Sequence, residues 1–114
     1  MKIDKFEDII AWQKAKDLTF LLYKIFQKNR DFGFRDQIQR ASVSIMNNTA
    51  EGFERRGDKE FKYFLFIAKG SSGEVISMLH LALELKYISK NEFDETYNLS
   101  VEISKMLSGF IKTL

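Results

Sequence analysis

Phe61-Lys62-Tyr63-Phe64-Leu65-Phe66-Ile67-Ala68-Lys69-Gly70-Ser71-Ser72-Gly73-Glu74-Val75-Ile76-Ser77-Met78-Leu79-His80-Leu81-Ala82-Leu83-Glu84-Leu85 is the stretch whose reading decides the fold. Phe61, Phe64, Leu65, Ala68, Ser72, Val75, Leu79, Ala82 and Leu83 recur at the three-and-four spacing of a helix that buries one stripe. A second line lies about a third of a turn away: Tyr63, Ile67, Ser71, Glu74, Met78, Leu81 and Leu85. One helix of a lone bundle needs only one buried stripe. The second line is therefore expected to meet a wide-angle neighbour or, ahead of that, another subunit.

Outward from this segment the chain is punctuated three times, at Asn29 to Gly33, Glu54 to Asp58 and Tyr87 to Asn91. The sequence has no proline, so nothing interrupts the stretches between these turns. They predict four helices over about 5–28, 34–54, 59–86 and 90–113. The first is expected to open on an acidic capping box, Asp4 with Glu7, and the last on Ser89 with Glu92. In the second, Ile38, Ala41, Ile45 and Thr49 centre an apolar face that Val43, Met46, Ala50 and Phe53 widen. Short connections make sequential helices antiparallel neighbours, giving an all-α, up-down-up-down four-helix bundle in a single domain, 1–114.

Composition narrows the function classes. The 114 residues hold no cysteine, which removes disulfides, thiolate metal sites and a cysteine nucleophile. No apolar run approaches the roughly 18 residues of a membrane span, and the amino terminus does not read as a signal peptide, so a cytoplasmic protein is expected. Net charge is only +2. Residues 1–69 carry 14 Lys and Arg against 10 Asp and Glu, whereas residues 70–114 carry 4 against 6. One end or side is expected to be the more basic.

No combination of residues reads as a catalytic site, and neither a metal nor another cofactor is expected. His80 is the only histidine and has no ligand or base partner at local spacing beyond Glu84. Glu51, Glu54, Asp58 and Glu60 cluster at the second turn without the Glu-x-x-His pairs of a di-metal bundle, and read as a salt-bridged turn with Arg55, Arg56 and Lys59. Lys69 to Glu74 lacks the spacing and the Lys-Ser/Thr ending of a phosphate loop, and reads instead as a packing notch for a closely approaching backbone. Trp12 beside Lys14 and Lys16 reads as a core aromatic with snorkelling lysines.

The polar wall of the second helix is the leading candidate surface. Gln37, Arg40, Ser44, Asn47, Asn48, Glu51 and Arg55 combine guanidinium forks, amides and a carboxylate, types suited to bidentate contacts with a backbone or a phosphate. For nucleic acid, the residues to examine are Arg40, Arg55, Arg56, Lys59 and Lys62.

Three stretches together resemble the bacterial four-helix bundle proteins also called 23S rRNA intervening-sequence proteins. They are Phe6-Glu7-Asp8 with Trp12-Gln13-Lys14-Ala15; Asp36-Gln37-Ile38 through Arg40-Ala41, Ser44-Ile45, Asn48 and Ala50-Glu51-Gly52; and Phe64-Leu65 with Ala68, Gly70-Ser71 and Glu74. The central stretch departs from the family pattern at Met46, where proline is common, and at Thr49, where isoleucine is usual. The resemblance implies an antiparallel bundle that assembles into a homo-oligomer, a ring-like pentamer. It also implies kinship with the accessory variability proteins of diversity-generating retroelements, which bind a reverse transcriptase and nucleic acid through a strongly basic surface. Two functions are compatible with it: a non-enzymatic homo-oligomeric scaffold with weak RNA or DNA binding, or a module that recognises a partner protein without nucleic acid. No membrane and no small-molecule substrate enter either.

Overall fold

The computed structural model describes residues 2–114. Its helices are α1 (Ile10–Ile25), α2 (Phe32–Glu54), α3 (Asp58–Glu84) and α4 (Lys90–Lys112), preceded by a single 3-10 turn at Phe6–Asp8. They run up-down-up-down, antiparallel, in a body of 42 × 22 × 19 Å. α2 and α4 each pack against both α1 and α3, while no Cα atoms of α1 and α3 come within 8 Å of each other, so these two stand on one diagonal. Among the described residues no helix is long and apolar enough to cross a membrane.

Helix ends follow local chemistry. At α4 the expected capping box forms: the Glu92 amide donates to Ser89 Oγ at 3.1 Å, and the Ser89 amide to Glu92 Oε1 at 2.9 Å. α2 begins two residues earlier than expected because Asp31 takes the cap, accepting from the Phe34 amide at 3.2 Å. α3 ends with Lys86 in the left-handed region, φ 64°, and the Tyr87 amide reaches back to the Ala82 carbonyl at 2.8 Å.

The first helix departs most from expectation. It does not run from residue 5 to 28, and the Asp4–Glu7 box is absent, since Lys5 and Ile9 are extended and carry no side-chain cap. The break lets two apolar residues turn inward. Ile9 is buried at 1% exposure, and Phe6 sets its ring edge-on to Trp12 at 5.1 Å. The Glu7 carbonyl freed by the break accepts from Gln13 Nε2 at 2.8 Å.

Inside, Leu18, Leu22, Phe26, Ile38, Ile45, Leu65, Leu79, Ile103 and Leu107 are fully buried in one cluster fed by all four helices. Buried hydroxyls do not bridge helices. Thr19, Ser42, Thr49, Ser72, Thr96 and Ser100 each donate to a carbonyl three or four residues back, at 2.7–2.8 Å.

The notch expected at Lys69 to Glu74 is open at its glycines, although Ser71 within it meets Ser44 of α2 at 2.8 Å. Nothing approaches the positions a side chain would fill at Gly70 or Gly73. The close approach is instead at Gly52, where a Cβ would stand 2.7 Å from Phe64 Cβ and 3.2 Å from the Phe61 carbonyl oxygen. Gly52→Ala should therefore force α2 and α3 apart and lower stability by about 1–3 kcal/mol in denaturant titration, despite alanine's better helix propensity.

Asp31 has a second task. The Tyr87 hydroxyl donates to its other carboxylate oxygen at 2.7 Å, tying the α1–α2 turn to the end of α3. That bond, with burial and the Asp31 charge adding to it, raises the Tyr87 phenol above its usual value of 10.0. A raised phenol pKa means that this stabilisation is complete below about pH 10 and is lost as pH climbs through the folded-state pKa. Absorbance titration should show a late-ionising tyrosine, and Asp31→Ala should abolish the lag.

Candidate interaction surfaces

The polar wall of α2 divides into a seam and a free face. Ser44 and Asn48 are half-buried against α3: Ser44 Oγ lies 2.8 Å from Ser71 Oγ, and Asn48 Nδ2 donates to the Ser44 carbonyl and hydroxyl at 2.9 Å. Gln37 Nε2 donates to Glu74 Oε2 at 3.4 Å one end along. Beside it runs a shallow cleft lined by Gln37, Arg40, Ser44, Ser71 and Glu74. Gln37, Arg40, Asn47, Glu51 and Arg55 remain exposed. The wall is thus structural at Ser44 and Asn48, and the rest of it faces solvent.

Four of the five basic candidates gather at the α2–α3 turn, and Arg40 does not join them. It lies fifteen residues before Arg55, roughly 22 Å along α2. At the turn, Arg55 Nε pairs with Glu51 at 2.8 Å, and its guanidinium sits 5.1 Å from the centre of the Phe64 ring. Arg56, with φ 65°, lies over Phe53 at 5.5 Å. Lys59 is exposed and Lys62 half-buried. Glu51, Glu54, Asp58 and Glu60 share this end, so four cations face four carboxylates and the local field is close to balanced.

The second stripe of α3 also divides. Ser71 lies in the α2 seam, and Met78 packs on the core. Tyr63, Ile67, Glu74, Leu81 and Leu85 are exposed. Phe66, at 54% exposure, joins them although the sequence pattern assigns it to neither line. It lies about 140° round the helix from Phe61, and that angle is the signal that marks it as outward-facing. The outside of α3 therefore carries large apolar side chains at both ends and two uncovered glycines between them.

A further apolar surface, not expected from the sequence, lies on α1. Phe20 and Tyr23 are exposed at 66% and 46%, as are Ile10 on α1 and Phe32 at the start of α2. Phe20 lies about 200° round α1 from the buried Leu18, a departure from the core stripe that periodicity could have revealed. His80, by contrast, does not meet Glu84 chemistry: its ring packs by Phe93 and Tyr97 of α4 at 5.3 and 5.5 Å. Trp12 is half-buried with Lys16 over its ring at 5.6 Å. Among the described residues no group of three His, Cys, Asp or Glu could hold a metal ion.

The family described as 23S rRNA-intervening sequence protein matches residues 7–109, nearly the whole bundle. The chain belongs to this family. Among solved structures, a protein with unknown function from the S23 ribosomal protein family of Bacteroides thetaiotaomicron shares its fold with a TM-score of 0.84. That protein is 26% identical, and the alignment covers 90% of this chain and 98% of the other. No curated protein matches. The matched residues include both the polar wall of α2 and the glycine-bearing α3.

The open glycines give a direct check on the outer face. Gly70→Ala and Gly73→Ala meet no neighbour among the described residues, so each should stabilise the fold by about 1 kcal/mol, read from the denaturation midpoint.

Proposed function

We propose that this 23S rRNA-intervening sequence protein works in the cytoplasm as a non-catalytic, homo-oligomeric scaffold that assembles through the outer face of α3 into a ring, a pentamer, and binds RNA or DNA weakly. The observation that carries the proposal is the uncovered apolar face itself. Tyr63, Phe66, Ile67, Leu81 and Leu85 stand on the outside of a helix whose inward face is already filled. Exposed apolar residues on one helix face are the usual mark of an association surface, whereas scattered ones need no account. Two glycines in the same face lower helix propensity without serving any contact inside the chain, which suits close approach by another chain.

Weak nucleic-acid binding rests on Arg40, Arg55, Arg56, Lys59 and Lys62, and on repetition. A ring multiplies each subunit's small surplus of charge. The balancing carboxylates at the α2–α3 turn support weak rather than tight phosphate contact, and a strongly basic surface of the accessory-variability kind has no counterpart there. The second reading, recognition of a partner protein without nucleic acid, draws on the exposed edge of the polar wall at Arg40 and Asn47.

Size-exclusion chromatography with light scattering should give a wild-type mass several times that of one chain. Leu81→Lys should reduce it to one chain without loss of helical circular dichroism, and it is the better substitution than one at Met78, which packs on the core. A monomeric wild type refutes the scaffold. Binding to mixed RNA or DNA should be measurable at low salt and fall steeply towards physiological salt. Its absence at low salt removes the nucleic-acid component and favours the partner-protein reading.

A further inference from the structure

The cleft between α2 and α3 holds opposite charges that neither assembly nor nucleic-acid binding uses together. We infer that it binds a small zwitterion, a free α-amino acid, whose carboxylate meets Arg40 and a serine hydroxyl and whose ammonium meets Glu74 and the Gln37 carbonyl.

Charge is the first ground. Arg40 and Glu74 line the same cleft from facing helices, yet they do not pair with each other, and among the described residues neither has another charged partner. Glu74 accepts only from the Gln37 amide, at 3.4 Å. A bare anion would be drawn by Arg40 and repelled by Glu74; a bare cation would meet the reverse. A ligand with both charges satisfies both walls at once. Should Arg40 swing across to Glu74, an ion pair at so exposed a site is worth little and yields to such a ligand.

Hydrogen bonding agrees. The Gln37–Glu74 bond marks one end of the cleft and the Ser44–Ser71 contact the other, about 10 Å along α2, with Arg40 between them. Asn48 donates to Ser44 Oγ at 2.9 Å, and the two serine hydroxyls share a single bond at 2.8 Å. Two hydroxyls have two protons, so one is left without an acceptor among the described residues and can serve a carboxylate beside Arg40. At the other end Gln37 gives its amide to Glu74, which leaves its carbonyl oxygen as a second acceptor for an ammonium.

Size sets the class of ligand. The cleft has a volume of about 230 Å³, below the roughly 300–1,000 Å³ of sites for drug-sized molecules, so its occupant has few atoms. A free amino acid places its two charges on one carbon and can reach both walls. A peptide, whose terminal charges are a chain apart, offers only one of them. Both walls are helical and are held by the close approach at Gly52, so the site keeps its spacing when empty.

The test follows backbone amide shifts by NMR in the wild-type chain, at neutral pH and constant ionic strength, during titration with glycine, acetate, methylammonium or triglycine. Glycine should shift the amides from Gln37 to Ser44 and from Ser71 to Glu74, with a dissociation constant on the order of 1 mM, as suits so small a ligand. The other three should bind about tenfold more weakly, since each brings one charge to the cleft. Arg40→Gln and Glu74→Gln change exposed side chains and should keep the helical circular dichroism of the wild type. Each should weaken glycine about tenfold while admitting one half of it: Glu74→Gln tightens acetate, and Arg40→Gln tightens methylammonium. Acetate that binds the wild type as tightly as glycine overturns the inference in favour of a plain anion site. Triglycine as tight as glycine overturns it in favour of a peptide end. Absence of any shift with glycine up to about 50 mM overturns it outright. None of these outcomes bears on the mass of the assembly, so the scaffold proposal stands or falls separately.

Discussion

The approach of α2 to α3 at Gly52 sets the rest of the molecule. With no room for a Cβ there, the two helices meet backbone to side chain at one end, and the Ser44–Ser71 and Gln37–Glu74 contacts continue the seam along their length. This contact fixes the rotation of α3 about its own axis. Once Phe61, Leu65, Ala68, Val75 and Leu79 face inward, Tyr63, Phe66, Leu81 and Leu85 have no choice but to face outward. The outer apolar face is a consequence of the geometry of the seam.

Much of the bundle was legible in the sequence because periodicity is a local signal. The stripe from Phe61 to Ala82 has the register that the structure buries, and Ser89 with Glu92 caps α4 as the spacing implies. The start of α1 was not legible. Asp4 and Glu7 have the right spacing for a cap, but burial of Ile9 and the Phe6–Trp12 contact outweigh about 1 kcal/mol of capping. Tertiary packing of this kind leaves no periodic trace.

The surfaces were harder to read, for two reasons. A polar residue at helical spacing reports its side of the helix and says nothing of whether a neighbour lies there, so Ser44 and Asn48 read as solvent-facing when they sit in the seam. The glycines misled in the reverse sense. Gly52, at the end of a run of polar residues, gives no sign of a close approach, while Gly70 and Gly73 suggest a contact that belongs to it. The salt-bridged turn was legible, by contrast, for Glu51 and Arg55 stand four residues apart on one helix and do pair.

The buried hydroxyls carry one more implication. Each brings its hydrogen bond with it from its own helix, so docking the helices requires no exchange of polar partners between them. The chain has no proline to isomerise and no disulfide to form. Local helical contacts dominate such a topology, and chains of this type reach the native state in microseconds to milliseconds. In the assembly proposed above, each subunit would then be finished before it meets another. In a dilute cell the lifetime of a lone, complete subunit with its α3 face open, and not the time taken to fold, would govern how much of the protein is in use.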